Sequence, residues 1–292
     1  MNFKVKFNLD IHCSTTKKDR FCTCPFSCYK ENMQFFAQKM SVFEYNATEL
    51  FCQGRIKLQE NLLDLFKQVL NVKYTTLPKT DASFFSEVRG NVLYIFFEHS
   101  NGIVDWRNNF DFPSKAYKDM ENTWHVHRGF LRVWKSAREY LKGPICNKKV
   151  KEIVIVGYSH GAALALLCYE FCVFHRADIA ENIFGYGFGC PRVVHGRLKR
   201  KICQRFKHFY VIRNCKDIVT HLPPAIFGFR HVGNLIHIGK NAKYGPIDSH
   251  RPENYIEQLE KMQKLPNQCR PQIQALPCDK QRICTHVITI TL

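Results

Sequence analysis

The chain has 292 residues, of which 45% are hydrophobic and 23% charged, so it can form one full-size globular domain or two small ones. No apolar run reaches the roughly 20 residues that a membrane-spanning helix needs, and residues 1–20 contain no apolar signal core, so we expect a soluble, unexported protein in the cytoplasm or peripherally on a membrane. The formal net charge of +18 predicts an anionic partner, either a phospholipid surface, an anionic substrate or nucleic acid, although a basic surface also serves solubility alone.

The 14 cysteines do not form a recognisable metal-binding pattern. Cys168, Cys172 and Cys190 lie in apolar segments, where a reduced thiol packs as a small hydrophobic group, and this favours a reducing compartment. Four cysteines over 13–28 lie near His12, but their spacing matches no familiar pair of zinc-ligand pairs, so unliganded thiols or a disulfide are favoured there. We therefore predict neither a metal site nor a cofactor.

Hydrophobic periodicity predicts strands that alternate with helices along the chain. An edge strand is expected over 3–9 and another strand over 287–292. Between them, further strands are expected over 91–97, 151–156, 183–187, 208–213 and 235–238. Helices are expected over 56–70, 130–141, 161–175 and 252–261. The second helix is expected to end at Gly143-Pro144. This alternation predicts a largely parallel sheet. We expect an N-terminal extension over 1–55, an α/β domain over 56–263 and a C-terminal extension containing Pro and Cys over 264–292.

The pentapeptide Gly157-Tyr158-Ser159-His160-Gly161 matches the pattern G-x-S-x-G. It follows a predicted buried strand and precedes an Ala-rich helix, which is the context of a nucleophile on a sharp strand–helix turn. The flanking glycines leave room for that turn, and the helix N-terminus directs backbone N–H groups toward a developing oxyanion. The alternative is a serine at an ordinary turn.

Three segments in order along the chain, 126–130, 157–166 and 188–193, resemble the class 3 lipases, also called the fungal-lipase-like family. The resemblance extends over about 91–259. It implies an α/β-hydrolase fold, with a mostly parallel central sheet flanked by helices, and activity on acylglycerols, phospholipids or related esters.

A triad on this fold has the chain order Ser, Asp or Glu, His. Asp217 is the acid in the loop after the predicted strand 208–213, and the family has an aspartate here, before a segment similar to Leu222-Pro223-Pro224. A turn or cap aspartate is the alternative. His250 lies in a polar loop before the last helix and resembles the family's catalytic histidine; His231 is the second candidate.

The oxyanion hole is expected at Phe97-Glu98-His99-Ser100. The family pattern here is similar to Phe-Arg-Gly-Ser/Thr followed by a tryptophan, and Trp106 stands at that spacing. The resemblance implies that Ser100 stabilises the oxyanion together with the backbone N–H of His160; a loop cap is the alternative for Ser100. Glu98 and His99 replace the family's Arg-Gly, which changes the loop.

The stretch Ile103 to Phe112 corresponds to the lid that covers the acyl pocket in the family. The residues expected to form the lid or to bind the substrate are Ile103, Val104, Trp106 and Phe110. Movement of such a lid onto a lipid surface would couple binding to opening. Packing of Trp106 and Phe110 in the core is the alternative.

These observations predict a serine hydrolase that cleaves a carboxylic ester of a lipid through an acyl-enzyme. Its expected partners are the lipid ester and an anionic membrane surface, with the basic runs Lys148 to Lys151 and Arg197 to Lys201 as candidate contacts. Nucleic acid is not expected, because no reading module is recognisable. An acyltransferase on the same triad and a catalytically impaired lipid- or membrane-binding protein stay open. The sequence does not indicate the oligomeric state.

Overall fold

The computed structural model describes residues 62–78, 80, 82–99, 114–118, 123–196, 198, 200–240, 242–264 and 273–275. From Leu63 onward these residues belong to one compact unit, and a second unit, Lys6–Leu62, lies outside the description except for Leu62. The predicted end strands and the N-terminal cysteines also lie outside it, and the predicted domain limits stay predictions. Within the described ranges no helix is long and apolar enough to cross a membrane, and no group of three potential metal ligands occurs.

Twelve strands and five α-helices are present in these ranges. The strands are β1 (Thr75–Leu77), β2 (Ala82–Arg89), β3 (Val92–Phe97), β4 (Ser114–Lys118), β5 (Thr123–His127), β6 (Glu152–Tyr158), β7 (Ile183–Phe188), β8 (Val194–His195), β9 (Phe209–Asn214), β10 (Phe229–Arg230), β11 (Asn234–Ile238) and β12 (Ile273–Ala275). The helices are α1 (62–71), α2 (Arg128–Cys146), α3 (His160–His175), α4 (Arg200–Cys203) and α5 (Pro252–Lys264). Short 3-10 helices cover Ala177–Asn182, Gln204–Phe206, Val219–His221, Ala225–Phe227 and Asp248–His250.

The central sheet has eight strands in the order β1-β2-β3-β6-β7-β9-β11-β12. Its five middle strands, from β3 to β11, are parallel, and the strands at both ends pair antiparallel. The predicted, mostly parallel sheet is therefore confirmed. Because the parallel strands share one direction, the loops at their carboxyl ends lie along one edge, which is where open α/β sheets carry their sites.

A second sheet of four antiparallel strands, in the order β10-β8-β5-β4, was not predicted. It joins segments that are far apart in the chain: His125 of β5 pairs with His195 of β8, and Val194 of β8 pairs with Arg230 of β10. The sheet links the segment before α2 to the loops that follow β7 and β9.

Helix α3 packs in the centre of the molecule. Every residue from Gly161 to Cys172 is buried, which explains why this helix is apolar around its whole circumference. Its one buried acid, Glu170, accepts hydrogen bonds from Tyr117 Oη at 2.7 Å and Arg205 Nη1 at 3.0 Å. Burial of the helix fixes the position of its first residue, His160, which is separated from the end of β6 by a single residue.

Helix α2 does not end at Gly143-Pro144, and that prediction was wrong. The helix continues to Cys146. Its last turn is held by tertiary contacts: the buried guanidinium of Arg176 donates to the carbonyl of Ile145 at 2.9 Å and of Asn147 at 3.0 Å, and Ile145 is fully buried. These contacts satisfy carbonyls that a helix end leaves without partners, and so they offset the cost of the proline.

Candidate active site

Ser159 occupies a strained turn between β6 and α3. Its backbone has φ 56° and ψ −122°, a conformation that non-glycine residues adopt only when their surroundings enforce it. A Cβ on Gly157 would lie 2.2 Å from the carbonyl oxygen of Gly161, and a Cβ on Gly161 would lie 2.3 Å from that of Phe97. Both glycines of the G-x-S-x-G pattern are therefore required sterically. The N–H of Ser159 donates to the carbonyl of Phe188 at 2.9 Å and fixes the turn to β7.

Ser159, His250 and Asp217 form one continuous chain of hydrogen bonds. The distance from Ser159 Oγ to His250 Nε2 is 2.8 Å, and the distance from His250 Nδ1 to Asp217 Oδ2 is also 2.8 Å. All three are buried, with relative exposures of 4%, 3% and 0% in the same order. Three residues from three different loops thus meet in the order nucleophile, base and orienting acid.

The carboxylate of Asp217 has two further donors. Tyr255 Oη donates to Oδ2 at 2.6 Å, and the N–H of Val219 donates to Oδ1 at 2.9 Å. Burial, and then the neighbouring Asp217 charge, raise the pKa of Tyr255, so its hydroxyl stays protonated and donates. These bonds hold the carboxylate next to Nδ1 of His250. Sequence analysis did not identify Tyr255, which lies in the first turn of α5 after His250.

Tyr158, the residue before the nucleophile, supports the base. Its hydroxyl donates to the backbone carbonyl of His250, and its ring stacks on the imidazole with centroids 5.1 Å apart and an interplanar angle of 26°. Burial raises the pKa of Tyr158, which keeps it a donor. The G-x-S-x-G motif allows any residue at this position, so the motif could not predict the contact between Tyr158 and His250.

Gly189 leaves room for the acid–base pair. It has φ +57°, and a Cβ there would lie 2.7 Å from His250 Cε1 and 3.0 Å from Asp217 Oδ2. The segment Phe188-Gly189-Cys190 carried the family resemblance, but its contact with the acid–base pair was not predicted. Glycine is needed here for two reasons: it adopts a positive φ without strain, and it lets the imidazole approach closely.

His231 and His237 bond to the backbone of the Asp217 loop. His231 Nε2 donates to the carbonyl of Thr220 at 2.7 Å, and His237 Nε2 donates to the carbonyl of Cys215 at 2.8 Å. Burial lowers the pKa of each imidazole to about 4, so both are neutral at pH 7. The structure brings neither of them to Ser159 within hydrogen-bond distance.

The expected oxyanion region lies beside the first turn of α3. His160 is the first residue of that helix, where backbone N–H groups point out of the helix end. Burial lowers the pKa of the His160 side chain to about 4, so its imidazole is neutral. The carbonyls of Phe97 and Glu98 lie against Gly161, at 2.3 and 2.5 Å from where a Cβ would stand. The end of β3 therefore borders the nucleophile turn.

His99 lies next to the base side of the site. Its ring centroid is 5.3 Å from that of Tyr158, and burial lowers its pKa, with a further lowering by His250 and an opposing effect of Glu98. Ser100 and the lid candidates Ile103, Val104, Trp106 and Phe110 lie outside the described residues. Their roles stay predictions.

Comparisons with known proteins agree with this architecture. Residues 94–227 match the family model described as Lipase (class 3). A lipase from Rhizomucor miehei is 30% identical over 156 residues, 51% of this chain and 42% of that protein. A secreted mono- and diacylglycerol lipase from Fusarium solani is 27% identical over 136 residues, 45% of this chain and 39% of that protein. This chain thus spans about two fifths of the length of these two curated relatives.

The solved structure of the Rhizomucor miehei triacylglyceride lipase superposes on this chain with a TM-score of 0.51 and 26% identity, covering 59% of this chain and 67% of that one. With the mostly parallel sheet and its flanking helices, this likeness confirms the predicted α/β-hydrolase fold.

Proposed function

We propose that this chain, whose residues 94–227 match the class 3 lipase family model, hydrolyses carboxylic esters of lipids with Ser159 as its nucleophile. The main support is the buried chain of hydrogen bonds from Ser159 through His250 to Asp217, with 2.8 Å at each step. A strained serine that touches a histidine held by a carboxylate is the arrangement that acyl transfer requires.

In the proposed mechanism His250 Nε2 accepts the proton of Ser159 as Oγ attacks the ester carbonyl. Asp217 stabilises the imidazolium that forms and keeps Nδ1 protonated. The imidazolium then gives its proton to the departing alcohol, which leaves an acyl-enzyme on Ser159. A water molecule, deprotonated by His250, releases the acid. The fixed donors Tyr255 and Val219 hold Asp217 in place throughout these steps.

We assign stabilisation of the oxyanion to the backbone N–H of His160, assisted by Ser100. The first turn of α3 contributes its positive dipole end to the same place, because its amides point toward the position of the developing charge. The neutral His160 side chain adds no charge there. The stretch Ile103 to Phe112 is proposed as the lid, with Ile103, Val104, Trp106 and Phe110 in contact with the acyl chain.

The proposed substrates are acylglycerols or phospholipids. The curated relatives support an acylglycerol class, since one of them is named a mono- and diacylglycerol lipase. The net charge of +18 supports peripheral contact with an anionic lipid surface. For the location we propose the cytoplasm or the periphery of a membrane, and the charge supports the second of these.

A fluorophosphonate probe, which reacts only with an activated serine, tests the proposal. We expect labelling of the wild-type protein and none of Ser159→Ala. Ser86→Ala, on strand β2, is the control and should label normally. A wild-type protein that is not labelled, or a Ser159→Ala protein that is, contradicts the assignment. Esters of varied head group and chain length, with water and an added alcohol as competing acceptors, then identify the substrate and separate hydrolysis from acyl transfer.

A further inference from the structure

Six large apolar side chains in the described part of the chain are exposed, and four of them lie in the two loops that carry Asp217 and His250. The four are Ile218, Ile226, Phe227 and Ile247, which we call the apolar rim. Ile226 is 87% exposed, Ile247 49% and Ile218 36%. Single exposed apolar residues are common on protein surfaces, but several in neighbouring loops indicate an interaction surface.

Two members of the rim, Ile218 and Ile247, lie next to the acid–base pair. Ile218 follows Asp217, and its N–H donates to the carbonyl of Pro246 at 3.1 Å, which joins the two loops. The N–H of His250 donates to the carbonyl of Ile247 at 3.0 Å, so Ile247 begins the short turn that ends at the base. Both loops start at carboxyl ends of parallel strands, at the edge of the sheet that also carries Ser159.

The same two loops and the residues beside them are strongly cationic. Their exposed cations are Lys216, Arg230, Lys240, Lys243 and Arg251, and their exposed acids are Asp248 and, two residues after Arg251, Glu253. Asp248 is already paired with Arg251 at 3.0 Å. Within the described ranges, no carboxylate pairs with the other four cations. The apolar rim is therefore accompanied by an excess of positive charge.

The basic runs suggested by the sequence fit this edge less well. Lys148 to Lys151 precede β6, whose opposite end carries Ser159. Seven residues of extended strand span about 23 Å, so this run lies at the far edge of the sheet. The basic side chains of the run Arg197 to Lys201 lie outside the described residues.

We propose that the apolar rim, with the cations beside it, is the surface through which this protein docks on an anionic lipid layer. Apolar side chains that enter the headgroup boundary, together with basic residues that attract anionic lipids, are the two components of interfacial binding. A second copy of this chain fits the surface poorly, because it would bring the same excess of positive charge. This inference rests on the proposed function in one respect: docking through this surface would bring the site of Ser159 to a lipid substrate.

The test measures vesicle binding of Ser159→Ala protein, so that hydrolysis does not contribute. Vesicles of phosphatidylcholine mixed with phosphatidylserine are sedimented with the protein, and pure phosphatidylcholine vesicles serve as the neutral probe. Ile226→Glu and Ile247→Glu are each combined with Ser159→Ala. The matched control is Val88→Glu, because Val88 is 47% exposed and lies on β2, paired with Leu93 at the far edge of the sheet.

We expect each rim variant to bind the mixed vesicles about tenfold more weakly than the Val88→Glu control, since removal of one interfacial isoleucine and addition of a negative charge both oppose binding. Binding to neutral vesicles should be weaker for every protein. Equal binding by rim variants and the control overturns the inference. Self-association would also overturn the inference. In that case sedimentation velocity would show that the parent protein associates with itself, that Ile226→Glu abolishes the association and that Val88→Glu does not.

A second measurement separates this inference from the proposed function. With Ser159 intact, Ile226→Glu should hydrolyse a soluble short-chain ester at the wild-type rate, because Ile226 contributes no side chain to the hydrogen-bonded chain and makes no bond to His250. If no protein hydrolyses that ester while the vesicle result holds, the proposed function fails and the docking surface stands. If hydrolysis is normal but the rim variants bind vesicles as well as the control does, the docking surface fails and the proposed function stands.

Discussion

Gly189 allows the proposed triad to be disturbed without removing any of its side chains. An alanine at this position would place its Cβ 2.7 Å from His250 Cε1, whereas ordinary contact begins at 3.4 Å. The imidazole must therefore retreat by about 0.7 Å, and it cannot do so without changing its 2.8 Å bonds to Ser159 and Asp217. A misplacement of about 1 Å in a reacting group costs on the order of a hundredfold in rate.

We therefore expect Gly189→Ala to lower turnover of a soluble ester by about a hundredfold, or roughly 2.7 kcal/mol in activation free energy. The substitution also has a backbone cost, because an alanine at positive φ is strained by about 1–2 kcal/mol. Gly90→Ala separates the two effects: Gly90 has φ +63°, close to the +57° of Gly189, but a Cβ there meets nothing within 4 Å. It should lose similar stability and keep full turnover.

The assay needs turnover per folded molecule. Denaturant unfolding measures the stability of each variant, and steady-state hydrolysis of a soluble ester measures turnover. If Gly189→Ala turned over as fast as Gly90→Ala, the contact with His250 would have no catalytic importance and the reasoning from geometry would be refuted.

Three further predictions concern the acid, the base and pH. Asp217→Asn should fold normally but lose about 10⁴ in turnover through the wrong imidazole tautomer; normal turnover would remove Asp217 from the triad. His250→Ala should lower hydrolysis by several orders of magnitude, and near-normal activity would move the base to His231. Burial lowers the pKa of His231 and His237 to about 4 from an ordinary 6.5, so the unfolded chain binds more protons between these values. The free energy of unfolding should fall as pH drops from 6.5 to 4, by up to about 1.4 kcal/mol per pH unit for His231 and by less for His237, where solvent screens the partly exposed imidazole. Denaturant unfolding at several pH values should show a smaller slope for His237→Asn, and an unchanged slope would contradict the role of burial.

The parallel strands were predictable because burial on both faces leaves a continuous apolar run in the sequence. The strand expected over 151–156 is Glu152–Tyr158, and the one expected over 183–187 is Ile183–Phe188. Chain order and turn context likewise indicated Ser159, Asp217 and His250, which the structure brings into one hydrogen-bonded chain.

The second sheet could not be predicted in the same way. Its strands β8 and β10 have two residues each, and β4, Ser114–Lys118, is mostly polar. Such short segments carry no periodicity, and their pairing depends on partners far along the chain, which one sequence does not reveal. Tyr158, Tyr255 and Gly189 were missed for the same reason, because each acts through a tertiary contact to His250 or Asp217.

The loop of Asp217 is bonded at several points along its backbone. His237 bonds to the carbonyl of Cys215, His231 to that of Thr220, and Arg192 to that of His221. Every acceptor here is a backbone carbonyl, and partly buried, neutral histidines supply two of the donors. Such bonds fix the course of the loop whatever the exposed side chains of Ile218 and Ile226 contact. Ile218 and Ile226 of the proposed docking surface therefore share this bonded loop with the proposed acid of the triad, so contact of their side chains with a lipid layer would leave these backbone bonds in place.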